Sequence, residues 1–413
     1  MYIAVMGYGT VGSGVVEVLH KNHDSIVSKS TQKDLELKYI LDLRDFPGDP
    51  NEDKFIKDFN IILNDDSVKI VVETMGGLHP AFEFVSSLLK AGKSVVTSNK
   101  ELVAQKGYEL LTLADENNVN FLFEASVGGG IPIIRPISQC LAANEIDEIA
   151  GILNGTTNFI LTMMIEQNMS FEEALKLAQD NGYAEKDPTA DVEGIDACRK
   201  ICILASLCFG KHVYPDSVHT EGISKITLED VAYVNDFGGV IKLLGKARRE
   251  NGGKISAMVC PCIVKNHSQL ASVSDVFNAI LVRGDAIGDV VFYGRGAGKL
   301  PTASAVVADV IDCAKHEKRK KLFGWGAPEE KYVIDYRTLE TALYIRAKVT
   351  GNKDDVLKKI GENFGKVKYL TRNGAPEDEI AFVTDKGIEK VLTDKLAKTE
   401  GIDVLSTIRV TDY

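Results

Sequence analysis

Over the first third of the chain, short runs of β-branched and other apolar residues alternate with longer stretches of amphipathic spacing. Ile3–Met6, Leu37–Leu41, Lys69–Val72, Ser94–Thr97 and Asn120–Phe123 read as strands with helical patterns between them. Such alternation predicts a parallel α/β sheet covered by helices. After about residue 143 the pattern changes. A strand over Ile146–Leu153 precedes helices over Asn158–Gln167 and Phe171–Asn181, and Ser170-Phe171-Glu172-Glu173 forms a capping box that opens the second helix. Helices over Asp191–Phe209 and Leu228–Arg249 follow, then strands over Ile255–Val264, Ala279–Arg283 and Asp289–Phe292, and a helix over Thr302–Ala314. This predicts a second, α+β unit over 144–300, with the helix at 302–316 completing the first unit, 1–143. Residues 315–341 read as a linker. The remainder, 342–413, runs strand (Leu343–Val349), helix (Asp354–Asn363), strands (Lys366–Leu370, Ile380–Thr384), helix (Lys386–Lys398) and strand (Asp403–Val410). That βαββαβ order is the ferredoxin-like unit.

Composition fits this multi-domain reading. At 413 residues, 45% hydrophobic and 26% charged, the chain is long enough and apolar enough for several ordinary cores. With 48 Lys and Arg against 59 Asp and Glu the net charge is −11, so nucleic acid and anionic membranes are poor partners. The basic run Lys315–Lys321 is therefore read as a solvated helix end. The longest apolar stretch, Ile201–Phe209, is about half the roughly 20 residues a spanning helix needs. Met1–Met6 leads straight into glycines with no basic n-region and no cleavage site, so the expectation is a cytoplasmic protein without a secretory signal. Seven cysteines, an odd number with no Cys-X-X-Cys, are read as buried reduced thiols.

Gly7-Tyr8-Gly9-Thr10-Val11-Gly12 follows the first strand and opens a helix. In that context Gly7 permits the tight turn, Gly9 lets backbone approach a pyrophosphate, and Gly12 allows close helix–strand packing. The first unit is thus expected to be a Rossmann-type, doubly wound dinucleotide domain. Asp42, at the end of the second strand, suits ribose hydroxyls, whereas Arg44 suits a 2′-phosphate, so NAD and NADP both stay open. A purely surface role for either also stays open.

Two lysines stand out. Lys100, in Thr97-Ser98-Asn99-Lys100, follows a buried-type strand at its ligand-binding end. A cation at a helix N-terminus opposes the macrodipole, so another group is expected to hold it there. Lys200 stands one turn beyond Asp196, on a helix that becomes apolar nearly all round from Ile201. Charges at its start either face a polar cavity or form a structural ion pair, and residues alone leave both readings open. Tyr183, Glu185, Asp187, Asp191 and Asp196 crowd the approach to this helix. Carboxylates for an ammonium, a helix N-terminus or hydroxyl for a carboxylate, and a lysine for proton transfer would together suit a small zwitterion.

Gly151-Ile152-Leu153-Asn154-Gly155-Thr156-Thr157-Asn158-Phe159-Ile160, the Gly182–Lys200 run and Gly294–Thr302 resemble, in register, the motifs of the homoserine dehydrogenase family. The likeness runs to about residue 315, and the C-terminal unit resembles the ACT regulatory domain that some members carry. The resemblance implies hydride transfer between NAD(P) and aspartate 4-semialdehyde or homoserine. Lys200 would be proton donor, Lys100 would contact substrate and cofactor, and Asp196 would orient Lys200. Glu185 and Asp191 would bind substrate, and Tyr183, Gly155 and Thr156 would line its pocket. Cofactor contacts would come from Gly7, Gly9, Thr10, Val11, Gly12, Asp42, Arg44, Ser98, Lys100 and Gly298. The stretch Glu124–Pro132 resembles the family's monovalent-cation loop, with Glu124, Val127, Gly129 and Ile131 supplying oxygens to a structural sodium. A homodimer or higher homo-oligomer is expected.

One departure concerns the C-terminal unit. Where effector-binding ACT units carry a Pro-Gly turn, this chain has Gly351-Asn352-Lys353-Asp354-Asp355, which predicts an assembly or stability module and not a threonine sensor. Two competing readings are a non-catalytic nucleotide and amino-acid sensor, for which two lysines have no use, and an oxidoreductase acting on another short amino aldehyde.

Overall fold

A computed structural model describes residues 1–30, 35–317, 319 and 321–413. Strand β1 (Tyr2–Met6) runs into α1 (Thr10–Lys21) and α2 (His23–Lys29), then β2 (Glu36–Leu41), β3 (Phe55–Ile56), α3 (Phe59–Leu63) and β4 (Val68–Glu73). Helix α4 (Ala81–Lys90), β5 (Ser94–Thr97), α5 (Lys100–Glu116) and β6 (Phe121–Leu122) complete this part. The six strands form a parallel sheet in the order β3-β2-β1-β4-β5-β6. Its strands are buried on both faces, which is why they read as continuous apolar runs: Ile3, Val5, Ile70 and Val72 enter one core, Ala4, Met6 and Val71 the other. The strand order reverses between β1 and β4, so a crevice opens at their C-terminal ends.

The second sheet is built from β7 (Ile146–Ile152), α6 (Gly155–Gln167), α7 (Phe171–Asp180), α8 (Thr189–Val192), α9 (Ile195–Phe209), β8 (His219–Thr220), α10 (Leu228–Asp236), β9 (Gly239–Arg249), β10 (Ile255–Lys265), β11 (Phe277–Gly284) and β12 (Gly288–Arg295). Helix α11 (Lys299–Lys315) then returns to the first sheet, where Ala303, Val306 and Val310 share a core with Val15 and Val16 of α1. The chain ends with β13 (Glu340–Val349), α12 (Lys353–Phe364), β14 (Val367–Leu370), β15 (Glu379–Thr384), β16 (Gly387–Ile388), α13 (Glu389–Ala397) and β17 (Ile402–Val410). The ferredoxin-like order is present, β17-β13-β15-β14, and its sheet is continuous with the second one. The join is β17 on β10, through Cys262 opposite Arg409 and Ile263 opposite Val410.

Three expected elements differ. The helix read over Leu228–Arg249 is α10 followed by β9. Apolar residues at 240, 241, 243, 244 and 247 suit either period, and the left-handed Gly238 (φ 77°) ends the helical part. Side chains of β9 enter two cores, Ile241, Leu243 and Ala247 one and Leu244 the other, and this burial on both faces explains its lack of clean alternation. The helix read over Asp191–Phe209 is two, α8 and α9, broken at Gly194 (φ 79°). In the C-terminal unit, Gly387–Ile388 pairs with β13 and only then does α13 begin.

Between α11 and β13, Lys318 and Lys320 of the basic run lie outside the described residues, but Trp325 is buried and donates to His212 Nδ1 (3.0 Å), and the Tyr332 hydroxyl donates to the Phe209 carbonyl (2.9 Å). The seven cysteines are free thiols; Cys140 is exposed and Cys208 half-buried, against the expectation that all are buried. Among the described residues no helix is long and apolar enough to cross a membrane.

Candidate active site

Helix α9 is apolar on nearly every side and buried over most of its length, and two of the charges in its first two turns, Asp196 and Lys200, are buried with it. They are held by one another and by the neighbouring strand end. Lys200 Nζ lies 2.7 Å from Asp196 Oδ2 and donates to the Leu153 carbonyl at 2.7 Å. Lys100, the first residue of α5, reaches across from the other sheet to Asp196 Oδ1 at 2.5 Å. Here is the partner that offsets the unfavourable macrodipole. Asn154 caps α6 by accepting from Thr157 N–H (2.9 Å), and its Nδ2 donates to both Asp191 (2.6 Å) and Asp196 (2.9 Å). One carboxylate thus carries two ammonium groups and an amide.

Burial lowers the pKa of Lys200 from its ordinary value, and Asp196 opposes that without reversing it. Lys100 is pushed down by burial as well, but Asp196 outweighs it and the net direction is up. Asp196 feels burial upward, yet Lys200 and Lys100 hold it well below the carboxylate range. Burial, then repulsion from Asp196, raises Asp191. Lys200 commits two of its three N–H donors to Asp196 and Leu153 and lines a cavity of about 630 Å³.

That cavity brings together most of the residues expected in it. Thr10, Lys100, Gly155, Thr156 and Gly298 line it, as do Tyr183, Glu185, Asp191, Asp196 and Lys200. Gly155 is sterically required, because a Cβ there would stand 2.7 Å from the Val276 carbonyl oxygen. The Thr156 hydroxyl donates to the Tyr183 carbonyl (2.7 Å), and the Tyr183 ring sets its edge against Phe159 (centroids 5.0 Å apart). Among the polar side chains of the lining, three were given no role by the sequence: Asn154, Arg199, which pairs with Glu101 (2.7 Å), and Arg295. Asn154 was legible as a helix cap before Gly155, but its second duty joins residues 37 and 42 positions apart.

The nucleotide half lies at the open ends of β1 and β4. Gly7 has φ 91°, a Cβ on Gly12 would sit 1.9 Å from the Gly7 carbonyl oxygen, and Gly9 has open space around its Cα. No side chain caps α1, so its first-turn N–H groups stand free for an anion. This cradle fits a pyrophosphate. Val11 packs into the adjacent core, and Ser98 N–H donates to the Glu73 carbonyl (3.4 Å). Glu73, unread in the sequence, is fully buried and braces the facing turn, accepting from Met75 and Gly76 N–H and from the Thr97 hydroxyl (2.6 Å).

Asp42 and Arg44, read as alternatives, are partners. The Asp42 carboxylate accepts from Tyr8 N–H (2.8 Å), from Arg44 N–H (3.0 Å) and from the Arg44 guanidinium (2.8 and 3.0 Å), and the guanidinium holds it well below the usual carboxylate range. In the loop expected to hold sodium, the Glu124 carboxylate accepts from the N–H groups of Ile133, Ile134 and Arg135 (2.6–2.8 Å). Gly129 (φ 57°) packs against Gly296, where its Cβ would stand 2.3 Å from a carbonyl oxygen, and Val127 and Ile131 are buried.

A dinucleotide cradle whose open end meets a buried, carboxylate-held lysine is the arrangement of a dehydrogenase, with a berth for a hydride carrier on one side and a proton source on the other. Comparison with known proteins narrows the class. Residues 7–124 match the family model "Homoserine dehydrogenase, NAD binding domain" and residues 132–311 match "Homoserine dehydrogenase". The homoserine dehydrogenase of Bacillus subtilis is 38% identical, covering 99% of this chain and 97% of that one, and that of Synechocystis is 45% identical over 75% and 72%. Among solved structures, a homoserine dehydrogenase from Thiobacillus denitrificans superposes with a TM-score of 0.89 at 34% identity, covering 100% of this chain and 98% of that one. A hyperthermophilic archaeal homoserine dehydrogenase in complex with NADPH covers 76% of this chain and 97% of its own (TM-score 0.63, 27% identity). The chain belongs to the homoserine dehydrogenase family of NAD(P)-dependent oxidoreductases.

Proposed function

We propose that Lys200 is the proton donor and acceptor in the family's reaction, the reversible NAD(P)-dependent reduction of L-aspartate 4-semialdehyde to L-homoserine on the route to threonine, methionine and isoleucine. The observation that carries this reading is the Lys200 ammonium, buried, pinned by Asp196 and the Leu153 carbonyl, with its remaining donor available to the cavity. A dinucleotide held at the Gly7–Gly12 turn would supply or take the hydride at C4 of the substrate. As negative charge builds on the aldehyde oxygen, Lys200 stabilises it and then protonates it. Asp196 keeps Lys200 protonated against the cost of burial, and Lys100 neutralises the other oxygen of Asp196 beside cofactor and substrate. Glu185 and Asp191 suit the substrate's ammonium, and the N–H groups of Gly155 and Thr156 at the start of α6 suit its carboxylate. Following NADPH and NADH absorbance separately with aspartate semialdehyde tests the activity, and a panel of other short aldehydes tests its range.

The ribose site supports a choice between cofactors made by the Asp42–Arg44 pair. Arg44→Ala is expected to weaken NADPH binding on the order of tenfold and leave NADH nearly unchanged, as befits loss of one charge-assisted contact to a 2′-phosphate. Asp42→Ala is expected to harm NADH and, by releasing Arg44, to favour NADPH. Equal effects on both cofactors from both substitutions would show that neither residue reads the ribose.

The 124–131 loop suits a monovalent cation through its backbone carbonyls, the Glu124 carboxylate already accepting three N–H groups, and the ion's part would be structural. We assign 1–143 with α11 to the nucleotide domain, 144–300 to substrate binding and the subunit interface of a homodimer or larger assembly, 315–341 to the connection, and 342–413 to an ACT-like module, in a cytoplasmic enzyme. That module is read as structural. At the turn that would receive an effector, Asn352 Oδ1 already accepts from Asp354 and Asp355 N–H (3.0 and 3.1 Å), and the two aspartates repel a carboxylate. Titrating threonine by calorimetry and at subsaturating substrate is expected to give neither saturable heat nor inhibition at micromolar concentration. Saturation in both would mean that the altered turn is a working effector site.

A further inference from the structure

Residues 219–223 lie between the substrate segment and the C-terminal unit and are tied to both. On the substrate side, Ile223 N–H donates to the Val192 carbonyl (2.8 Å), and Gly222 presses so closely on α8 that a Cβ there would stand 2.2 Å from that same oxygen. Gly194, where α8 gives way to α9, is packed against Thr220 and the Glu221 carbonyl, at 3.2 and 3.3 Å from its would-be Cβ. Asp191 therefore stands one residue before this contact, and Asp196 and Lys200 begin just after it. Behind the segment, Glu221 N–H donates to the Val259 carbonyl (2.8 Å), which fixes it to β10.

On the other side, both oxygens of Glu221 accept from the Arg409 guanidinium of β17 (2.9 Å each), which also grips Glu389 of α13 (2.6 and 2.8 Å). Arg409 and Glu389 are almost wholly buried, with side-chain exposures of 8% and 5%. His219 completes the cluster, its Nε2 2.5 Å from Glu221 and its ring stacked on Tyr336 at 3.7 Å between centroids. A bidentate pair whose guanidinium is buried, even with the Glu221 side chain 36% exposed, fixes distance and orientation together. The packing against Gly222 leaves no slack by which a shift of Glu221 would be absorbed before reaching α8.

We propose that Glu221 is a positioning residue for the substrate segment and that Arg409 holds it in place, so the C-terminal unit sets substrate affinity through this one ion pair. The inference rests on the reading of Glu185 and Asp191 as substrate ligands. It gives the C-terminal unit a part in the reaction that needs no effector.

The test is steady-state kinetics of the full-length chain carrying Glu221→Gln, Arg409→Gln, both together, and Asp191→Asn as reference. Either single substitution is expected to raise KM for aspartate semialdehyde roughly 5- to 20-fold, a usual size for coupling between sites, while KM for NADPH stays within about twofold. The double variant is expected to be no worse than the worse single one, because both break the same link. Arg409→Lys, which restores the charge but not the fork, is expected to fall between. Circular dichroism confirms folding, and should the Arg409 variants not fold, Glu221→Gln, which leaves Arg409 with Glu389, decides alone. An unchanged substrate KM, or a parallel rise in both KM values, overturns the proposal. If Asp191→Asn raises the substrate KM and Glu221→Gln does not, only the coupling has failed; if neither does, the assignment of the substrate segment has failed with it.

Discussion

Replacing Lys200 by alanine is expected to cut turnover by roughly 10²–10⁴, the usual contribution of general acid–base catalysis, with the fold intact. Lys100 remains on Asp196, so the substitution strands no unpaired buried carboxylate. Lys200→Arg is not expected to restore turnover, because a guanidinium does not release a proton near neutrality and its fork does not match the single-point contact with Leu153. The pH profile gives an independent reading with a definite sign. Reduction of the aldehyde needs Lys200 protonated, so its rate is full below the Lys200 pKa and falls as pH rises through it. Oxidation of the alcohol needs it neutral and rises over the same range. Burial places that pKa below the ordinary lysine value. Asp196→Asn removes the charge that opposes burial, so the alkaline fall in the reductive direction should move to lower pH. A Lys200→Ala enzyme with near-full turnover, or an Asp196→Asn profile shifted to higher pH, would refute the assignment.

What the sequence made legible follows the range of the interactions involved. The glycine loop was readable because Gly7, Gly9 and Gly12 act within six residues, and the turn's geometry demands them. Asp196 and Lys200 were readable as a pair because a helix places residues four apart on one face. By contrast, Lys100 meets Asp196 across two different sheets, and the sequence showed only that something must hold a misplaced cation. Asp42 and Arg44 looked like rivals for a ribose because side-chain pairing two residues apart in a loop has no periodic signal. Strand β9 was misread for a different reason: it buries apolar residues in cores on both faces of the sheet, so neither period 2 nor 3.6 stands out. Residues 188 positions apart, Glu221 and Arg409, meet only because β17 joins β10, and nothing local announces that join.

The join also bears on whether the last seventy residues are a detachable module. Arg346 on β13 bridges Asp230 of α10 (2.8 Å) and Glu379 (3.2 Å), and the Tyr344 and Tyr233 hydroxyls donate to the same two carboxylates. The Asp230 side chain is wholly buried and belongs to the 144–300 unit. Removing its cationic partner leaves a charge with a tyrosine and a threonine as its remaining neighbours, which is the costly way to break a buried pair. Arg346→Ala is therefore expected to destabilise the protein by about 3–5 kcal/mol, measured by urea unfolding followed by far-UV circular dichroism. Adding Asp230→Asn should recover part of that loss, because the stranded charge and not the missing contact carries most of the penalty. Asp230→Asn made alone should not stabilise the parent chain, since it takes a charged partner from Arg346, which keeps only Glu379. Deleting residues 342–413 removes Arg346, Arg409 and the neighbour of β10 at once, and so should cost more than either point substitution. If Arg346→Ala unfolds within about 1 kcal/mol of the parent chain, Asp230 is not paid for by this arginine, and the C-terminal unit is bound by its sheet edge alone.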